Sequence, residues 1–330
     1  VSTAATTLCT ITLPATTCST TEEALAPAGT PYSVTAAYAG DANFKPSTSA
    51  ASNLSITQAS STTDLSLAPT SVAVGNETSV VFTVTVSPLN AGTPTGTATV
   101  STGSTTLCIV TLVNGAGTCS PSSDLLASSS TPYAVTASYS GDTNFTGSTS
   151  SAQNLTITAA GTTTTLSPSA TSVTYGNEGS VTFRTTVTPT PSGGPALTGI
   201  VTVSTPATTL CTFNVATATS CTTTATALGA STTPYQVTAT YGGDANHGGS
   251  TSPASNLTVT AATTTTVVTP SPTTVTYGQE TTVSFGVTVS PQFSGAPTGS
   301  VTVMSGSTAL CSFTLAQSDN GAGSCSPVSR

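Results

Sequence analysis

The sequence predicts an all-β protein, built as a tandem array of β-sandwich domains of about 100 residues each. The first observation behind this prediction is a cysteine-bearing phrase, VSTAATTLC at Val1, which has further copies at Val100, at Val203 and around Val303. The second is the phrase PYSVTAAYAGDANF at Pro31, which has further copies at Pro132 and Pro234. The third is the alternation of apolar residues with Thr and Ser, which is the period of half-buried strands.

The composition excludes several classes of function. Charged residues make up 4% of the chain and the formal net charge is −8, with Lys45, Arg184 and Arg330 as the basic residues. A nucleic-acid binder or a protein of anionic membrane surfaces needs a basic stripe, and none can be assembled from these three residues. No run approaches the roughly 18 apolar residues of a membrane span, so we expect no membrane insertion in this segment.

The middle of the chain shows the strand order of one repeat most clearly. We expect a first strand in two pieces, Thr62–Leu67 and Ser71–Val74, because Pro69 cannot donate to a β-ladder and so favours an edge position. A Gly-Asn turn follows. Residues Val80–Val86 then alternate between apolar and polar side chains, which predicts a half-buried second strand.

The rest of this repeat predicts five more strands. We expect a loop over Pro88–Pro94, a third strand over Thr97–Ser101, and the fourth and fifth strands in the cysteine segment. Residues Tyr133–Tyr139 supply the sixth strand and Leu155–Ile157 mark the seventh. Seven short strands, frequent turn residues and no helical periodicity predict an immunoglobulin-like topology for the sandwich.

The repeats divide the chain into four predicted parts: the later part of a repeat at 1–60, complete repeats at 61–160 and 161–262, and the earlier part of a repeat at 263–330. Only short runs of small residues separate the repeats, so we expect semi-rigid junctions. Both ends carry a cysteine pair. We therefore expect the chain to be a window on a longer repetitive polypeptide, and a split domain completed between subunits is the alternative.

The eight cysteines fall into four pairs, and we predict the disulfides Cys9–Cys18, Cys108–Cys119, Cys211–Cys221 and Cys311–Cys325. Each pair brackets an alternating segment and a turn, clearest in CIVTLVNGAGTC. We therefore expect each disulfide to join opposed residues of a β-hairpin. Reduced structural cysteines and a zinc site are the alternatives, but zinc needs about four ligands at closer spacings. Disulfides would place the protein outside the cell or on its surface.

A resemblance extends this interpretation. The run TTTTLSPSATSVTYGNEGSVTF at Thr162, the segment TGIVTVST, and YGGDANHGGSTS at Tyr241 resemble the bacterial immunoglobulin-like repeats of large secreted and surface-attached proteins. The resemblance covers essentially the whole chain, and Y-x-G-D-x-N-F is its most specific part. It implies a β-sandwich array that acts as a stalk, spacer or fibre. The cysteine pair is not a general feature of those repeats.

The Y-x-G-D-x-N-F phrase holds the candidate polar site, with an aspartate in each Gly-Asp turn: Asp41, Asp142 and Asp244. Such aspartates commonly cap backbone N–H groups of their own turn, and we expect that role here. The alternative is a calcium site at the junction between domains, with Glu77, Glu178 or Glu280 as further ligands. Calcium prefers six to eight oxygens, so one Asp and one Glu per repeat is a sparse ligand set.

The aromatic residues before these turns are Tyr38, Tyr139 and Tyr241. We expect each to pack in its domain, with its hydroxyl holding a neighbouring loop, and a carbohydrate-binding platform is the alternative. His247 takes the position of a packing Phe in the other copies. Because a Ser-His-Asp set cannot recur in the repeats, we expect no catalytic residues and no cofactor.

These observations predict an extracellular structural repeat protein that forms a filament or a surface stalk, and that is not an enzyme. Its expected partners are other copies of itself or neighbouring repeats along a fibre. The alternative is an adhesin that binds glycans or a host protein through its repeat loops.

Overall fold

A computed structural model describes residues 1–328, which form two compact units. The first unit comprises residues 1–160 with 191–195, and the second comprises the described residues of 161–190 and 196–328. Each unit contains one complete set of repeat strands and one partial set. The division into four domains stays a prediction, although its boundary at 160/161 is also a boundary between the compact units. None of the helices among residues 1–328 is long and apolar enough to cross a membrane.

The first unit begins with short strands: β1 (Tyr32–Val34), β2 (Ala37–Tyr38), β3 (Ser47–Thr48) and β4 (Ser52–Leu54). Its complete repeat follows with β5 (Ser61–Ala68), β6 (Ser71–Ala73), β7 (Val81–Pro88), β8 (Thr97–Thr102), β9 (Thr105–Thr111), β10 (Ala116–Cys119), β11 (Tyr133–Gly141), β12 (Thr146–Thr149) and β13 (Gln153–Thr158). A 3-10 helix over Glu77–Ser79 separates β6 from β7.

The complete repeat is an immunoglobulin-like sandwich of two sheets. One sheet has the order β10-β7-β5, and the other has the order β6-β13-β11-β8-β9 with β12 on β11. The first strand is interrupted as predicted, and its two pieces lie at the edges of different sheets. β5 pairs antiparallel with β7, whereas β6 pairs parallel with β13. Pro69, which lacks an N–H donor, stands between them.

The core of this repeat lies between the two sheets. Along β7 every second side chain is buried, which confirms the predicted period of two. The largest fully buried apolar side chains are Phe82 from one sheet and Tyr139, Leu155 and Ile157 from the other. Full burial of such a side chain stabilises a fold by about 1.5–3 kcal/mol, so packing of these residues helps to hold the two sheets together.

The prediction that the fourth and fifth strands pair with each other is wrong. β9 pairs with β8 in the larger sheet, and β10 pairs with β7 in the smaller sheet. Only Val113 and Ala116, at the turn itself, bond to each other across the expected hairpin. The chain therefore passes from the larger sheet to the smaller sheet after the turn, and the backbone hydrogen bonds of β10 are made with β7.

The second unit repeats this order. Its strands are β14 (Gly161–Pro168), β15 (Ser172–Thr174), β16 (Thr182–Thr190), β17 (Ile200–Ser204), β18 (Thr209–Asn214), β19 (Ser220–Thr222), β20 (Tyr235–Tyr241), β21 (Ser250–Thr251), β22 (Ser255–Thr260), β23 (Thr264–Ser271), β24 (Ser284–Pro291), β25 (Gly299–Ser305), β26 (Thr308–Leu315) and β27 (Ala322–Cys325). Short 3-10 helices occupy Glu178–Ser180, Glu280–Thr282 and Gln317–Asp319.

The sheets of the second unit match those of the first. Its complete repeat has the orders β14-β16-β19 and β15-β22-β20-β17-β18, with β21 on β20. The partial repeat has β23-β24-β27 and the pair β25-β26. The strand that carries the second cysteine again pairs with the second strand of its repeat in both cases.

Candidate functional site: disulfide staples and turn clamps

Each predicted cysteine pair is a disulfide in the structure, with Cα–Cα distances of 6.0, 6.1, 6.0 and 5.9 Å along the chain. In the middle repeat Cys108 lies opposite Val100 on β8, and Cys119 lies opposite Phe82 on β7. The disulfide therefore joins the two sheets of the sandwich, and does not close a hairpin within one sheet as we expected. The physical reason is that β10 pairs with β7 in the smaller sheet, whereas β9 pairs with β8 in the larger sheet.

The same register recurs in the two later repeats. Cys211 lies opposite Val203 and Cys221 opposite Phe183. Cys311 lies opposite Val303, and Cys325 opposite Phe285. A valine on one sheet and a phenylalanine on the other thus flank each of these three bonds. The disulfide is a sheet-to-sheet staple at a constant place in the repeat.

The turn between Cys108 and Cys119 explains how the chain reaches the other sheet. Asn114 and Gly115 both have positive φ, at 54° and 78°, as the predicted Asn-Gly turn requires. Gly117 then passes so close to β9 that a Cβ there would lie 2.6 Å from Val110 Cγ1. A glycine is needed at this crossing because any side chain would push β10 away from β9.

The Gly-Asp turn of the middle repeat is a dense hydrogen-bond cluster around Asp142. Its Oδ1 accepts the N–H groups of Asn144 at 2.8 Å and Phe145 at 2.9 Å, which is the predicted turn capping. Its Oδ2 accepts the N–H of Thr95 at 2.8 Å and the Thr95 hydroxyl at 2.9 Å. The aspartate therefore ties the turn between β11 and β12 to the segment before β8.

All of the equivalent aspartates cap their own turn, and Asp244 also binds a threonine as Asp142 does. Asp244 Oδ1 accepts the N–H groups of Asn246 and His247, and its Oδ2 accepts the N–H and hydroxyl of Thr198. Asp41 Oδ1 accepts the N–H groups of Asn43 and Phe44. All three carboxylates are occupied by donors of the protein.

The bonds of Asp142 change its acidity. Burial alone raises the pKa of this carboxyl, but the N–H groups of Thr95, Asn144 and Phe145 outweigh burial and lower the pKa to about 2. The pKa of Asp244 is lowered as well, because the Thr198 and Asn246 N–H bonds and the His247 side chain outweigh its burial. Asp142 and Asp244 are therefore ionised at neutral pH.

The turn of the middle repeat also holds the junction that leads into the repeat. Ala59 donates its N–H to the Asn144 carbonyl, and Thr146 donates its N–H to the Ala59 carbonyl, both at 2.9 Å. The Gln58 side chain donates to the Asp142 carbonyl at 2.7 Å. The junction is thus bonded to the repeat that it enters, as the predicted lack of slack requires.

The tyrosines before the turns pack as predicted in the complete repeats. Tyr139 and Tyr241 are buried, and Tyr241 donates to the Thr198 carbonyl at 2.6 Å and to Asp244 at 3.0 Å. The Tyr139 hydroxyl faces Asp142 without meeting hydrogen-bond geometry. Burial, followed by the aspartate contact, raises the pKa of both tyrosines to about 12. Tyr38 is at the equivalent position and donates to Asp41 at 2.9 Å.

His247 is buried in the position that Phe145 holds in the middle repeat. Its Nδ1 lies 2.9 Å from Asp244 Oδ1, and its Nε2 is buried with no hydrogen-bond partner. The ring therefore acts as a packing group that also contacts the turn aspartate.

The calcium alternative needs a turn aspartate and a glutamate close together, and the structure separates Asp142 from Glu77, the glutamate of its own repeat. Glu77 precedes the start of β7, whereas Thr95, the partner of Asp142, follows the end of this eight-residue strand. Glu77 instead accepts the N–H of Gly75 at 3.0 Å. Within residues 1–328 no group of three or more His, Cys, Asp or Glu side chains is arranged to hold a metal ion.

A second tyrosine clamp was missed in the sequence. The hydroxyls of Tyr32, Tyr133 and Tyr235 donate to the carbonyls six residues upstream, Ala26, Ala127 and Gly229, at 2.8 to 2.9 Å. This is the tyrosine corner of immunoglobulin-like domains, which fixes the loop before the strand. The repeated Pro-Tyr pair that begins each copy of the second phrase was the signal for it.

A polar cavity in the first unit has a volume of about 710 Å³. Its walls include Glu22, Glu23, Asn90, Asn144 and Phe145. The strongly exposed aromatic residues, Phe44 at 68% and Tyr277 at 97%, belong to the partial repeats. The complete repeats therefore present no exposed aromatic platform for a glycan.

Comparison with known proteins agrees with this architecture. Residues 65–158 match the family model described as "Bacterial Ig-like domain (group 3)". No curated protein matches the chain. Among solved structures, the fibronectin(III)-like modules of Clostridium thermocellum CbhA match with 11% identity and a TM-score of 0.22, over 60% of this chain and 93% of that chain.

Proposed function

We propose that this chain, whose residues 65–158 form a bacterial immunoglobulin-like domain, is an extracellular structural protein that builds a filament or a surface stalk. The observation that carries the proposal is the sheet-to-sheet disulfide, which recurs between the same valine and phenylalanine positions in successive repeats. Chemistry that is repeated in this way serves every repeat equally. Stabilisation is needed in each domain and therefore fits this repetition, whereas a single active site would not need to be repeated.

The mechanism is mechanical. Pulling a sandwich apart separates its sheets, and the staple keeps the sheets joined after their hydrogen bonds break. The Gly-Asp turn acts at the junction that leads into the repeat. Its Asn144 carbonyl accepts the N–H of Ala59, and this bond holds the junction to the turn. Together these bonds support a repeat that resists extension and a junction with little slack.

The remaining features support a role without catalysis. His247, the one histidine of the chain, is buried against Asp244, which supports a packing role for it over the role of a general base. The disulfides support a location outside the cell or on its surface, where thiols become oxidised. We infer that the partners are neighbouring repeats and other copies of the chain. Nucleic acid and a membrane interior are not among them.

Force measurement on single chains tests this function. Residues 108–119 are eleven intervals of about 3.5 Å when extended, and the disulfide holds their ends 6.1 Å apart, so it withholds about 30 Å of contour length from the repeat. We expect discrete unfolding steps, each lengthened by about that amount after reduction. Extension at negligible force, or steps that reduction leaves unchanged, would contradict a role in resisting mechanical extension. Selective retention of the chain on a glycan or host-protein surface would favour the adhesin.

A further inference from the structure

The middle repeat contains a buried acidic contact that neither the staple nor the clamp uses. Glu77 begins the 3-10 helix before β7 and is 1% exposed. One of its carboxylate oxygens accepts the Gly75 N–H at 3.0 Å. The other oxygen, Oε1, is buried and has no donor among the described residues. A buried carboxylate oxygen without a donor is costly if the group is ionised.

The second member of this contact is Asp124, in the loop that follows β10. Its Oδ1 is also buried and has no donor among residues 1–328. Its Oδ2 accepts the Gly194 N–H at 3.3 Å, within the same compact unit. A Cβ built on Gly193 would lie 2.9 Å from Asp124 Oδ2 and 3.1 Å from the carbonyl oxygen of Gly75, so the Asp124 carboxyl lies beside the turn whose N–H Glu77 accepts. The buried oxygens of Glu77 and Asp124 that lack a donor therefore lie in contact within one small site. Two carboxyl groups make such a contact only when one of them carries a proton.

We propose that Glu77 and Asp124 share one proton, and that this proton closes a pH-sensitive clamp between the turn before β7 and the loop after β10. With the proton present, one carboxyl donates to the other and both orphan oxygens are satisfied. Without it, two adjacent negative charges repel each other in a buried site. The turn before β7 and the loop after β10 then separate, and the sandwich opens between them.

The surroundings support a proton over a cation as the bridging species. The turn 74–79 and the loop 191–195 contribute no titratable side chain other than Glu77, and the loop 120–132 contributes Asp124 alone. Among residues 1–328, no Lys or Arg contributes to the pKa shift of Glu77. Burial, and next the hydrogen bond with Asp124, raise the pKa of Glu77 to about 7. The switch would therefore operate near neutral pH.

The later repeats lack the pair and serve as internal controls. In the third repeat Thr226 stands nine residues before Tyr235, as Asp124 stands nine before Tyr133. Glu178 is buried there without a carboxyl partner. In the fourth repeat Glu280 is exposed, and the Gly278 N–H bond lowers its pKa. The switch is thus specific to the middle repeat.

Hydrogen exchange of the full chain, followed peptide by peptide from pH 5 to pH 8, tests the proposal. The pKa of Glu77 is raised on folding, so its contribution to stability is complete below pH 4.5 and is lost as the pH rises to about 7. After correction for intrinsic exchange, we expect protection of residues 74–80 and 120–128 to fall by up to about tenfold per pH unit in this range.

Substitutions of Glu77 and Asp124 distinguish a shared proton from other causes of pH-dependent exchange. Glu77→Gln keeps a donor toward Asp124, so we expect its protection in these peptides to become independent of pH. Asp124→Asn should do the same if Glu77→Gln fails to fold. Glu178→Gln is the matched control and should leave the pH dependence of the middle repeat unchanged. An unaltered pH dependence in both variants of the pair would overturn the proposal. Restoration of protection at pH 8 by Ca²⁺ alone would overturn it in favour of a cation site.

Discussion

Removal of the staple from the middle repeat is the most informative perturbation of this fold. Cys108→Ala with Cys119→Ala deletes the disulfide and leaves two small side chains that need no hydrogen bonds. The bond closes a loop of twelve residues, counting both cysteines. In the chain-entropy model a loop of this length corresponds to about 3 kcal/mol of stability at 25 °C. We expect the loss of stability to be close to that value, since both cysteines are only partly buried.

A loss of about 3 kcal/mol lowers the unfolding temperature of a domain of about 100 residues by roughly 12–24 °C. Because the bond joins two sheets, its loss should expose β10 and β7 as well as β9. Hydrogen exchange by mass spectrometry measures this for each strand, and calorimetry measures the unfolding temperature. The double variant Cys211→Ala with Cys221→Ala is the matched control, and its effect should be confined to the third repeat. A change below about 1 kcal/mol, or increased exchange in β9 alone, would refute the sheet-to-sheet staple.

Three further changes test the turns and clamps. Tyr133→Phe removes the tyrosine-corner hydrogen bond and should cost about 1 kcal/mol in a thermal or chemical denaturation experiment; an unchanged midpoint would show that the bond contributes nothing. Gly117→Ala should destabilise the repeat by about 1–3 kcal/mol, because the new Cβ meets Val110, whereas Gly161→Ala finds its nearest atom at 3.5 Å and should be tolerated. The lowered pKa of Asp142 contributes stability above pH 4 that is lost as the pH falls through about 2, so Asp142→Asn should flatten acid unfolding followed by circular dichroism.

Local patterns predicted the strands of each repeat and the turns between them. The period of two along β7 identified its buried face, and Asn114-Gly115 identified a tight turn, because both signals lie within a few neighbouring residues. The aspartate caps were predictable for the same reason, since Asp142 bonds to residues two and three positions later. The wrong hairpin shows the limit of such signals. Cys119 pairs with Phe82, and nothing near either residue specifies the other.

Other features could not be predicted because they depend on contacts between distant segments. β12 has no alternating apolar residues, and it forms because the turn after β11 folds the chain back onto that strand. The contact between Glu77 and Asp124 brings together residues that lie in separate loops of the sequence. The partner of the Tyr133 hydroxyl is a backbone carbonyl, which no residue type in the sequence reveals.

Electron imaging of the native polypeptide tests the structural role most directly. A repeat with strands of about ten residues should advance a filament by about 35–45 Å, from a rise of about 3.3 Å per residue and a short junction. We predict continuous fibres or long stalks with that axial period. After reduction of the disulfides, we expect these fibres to have a shorter persistence length. Compact particles without a linear period would contradict the account.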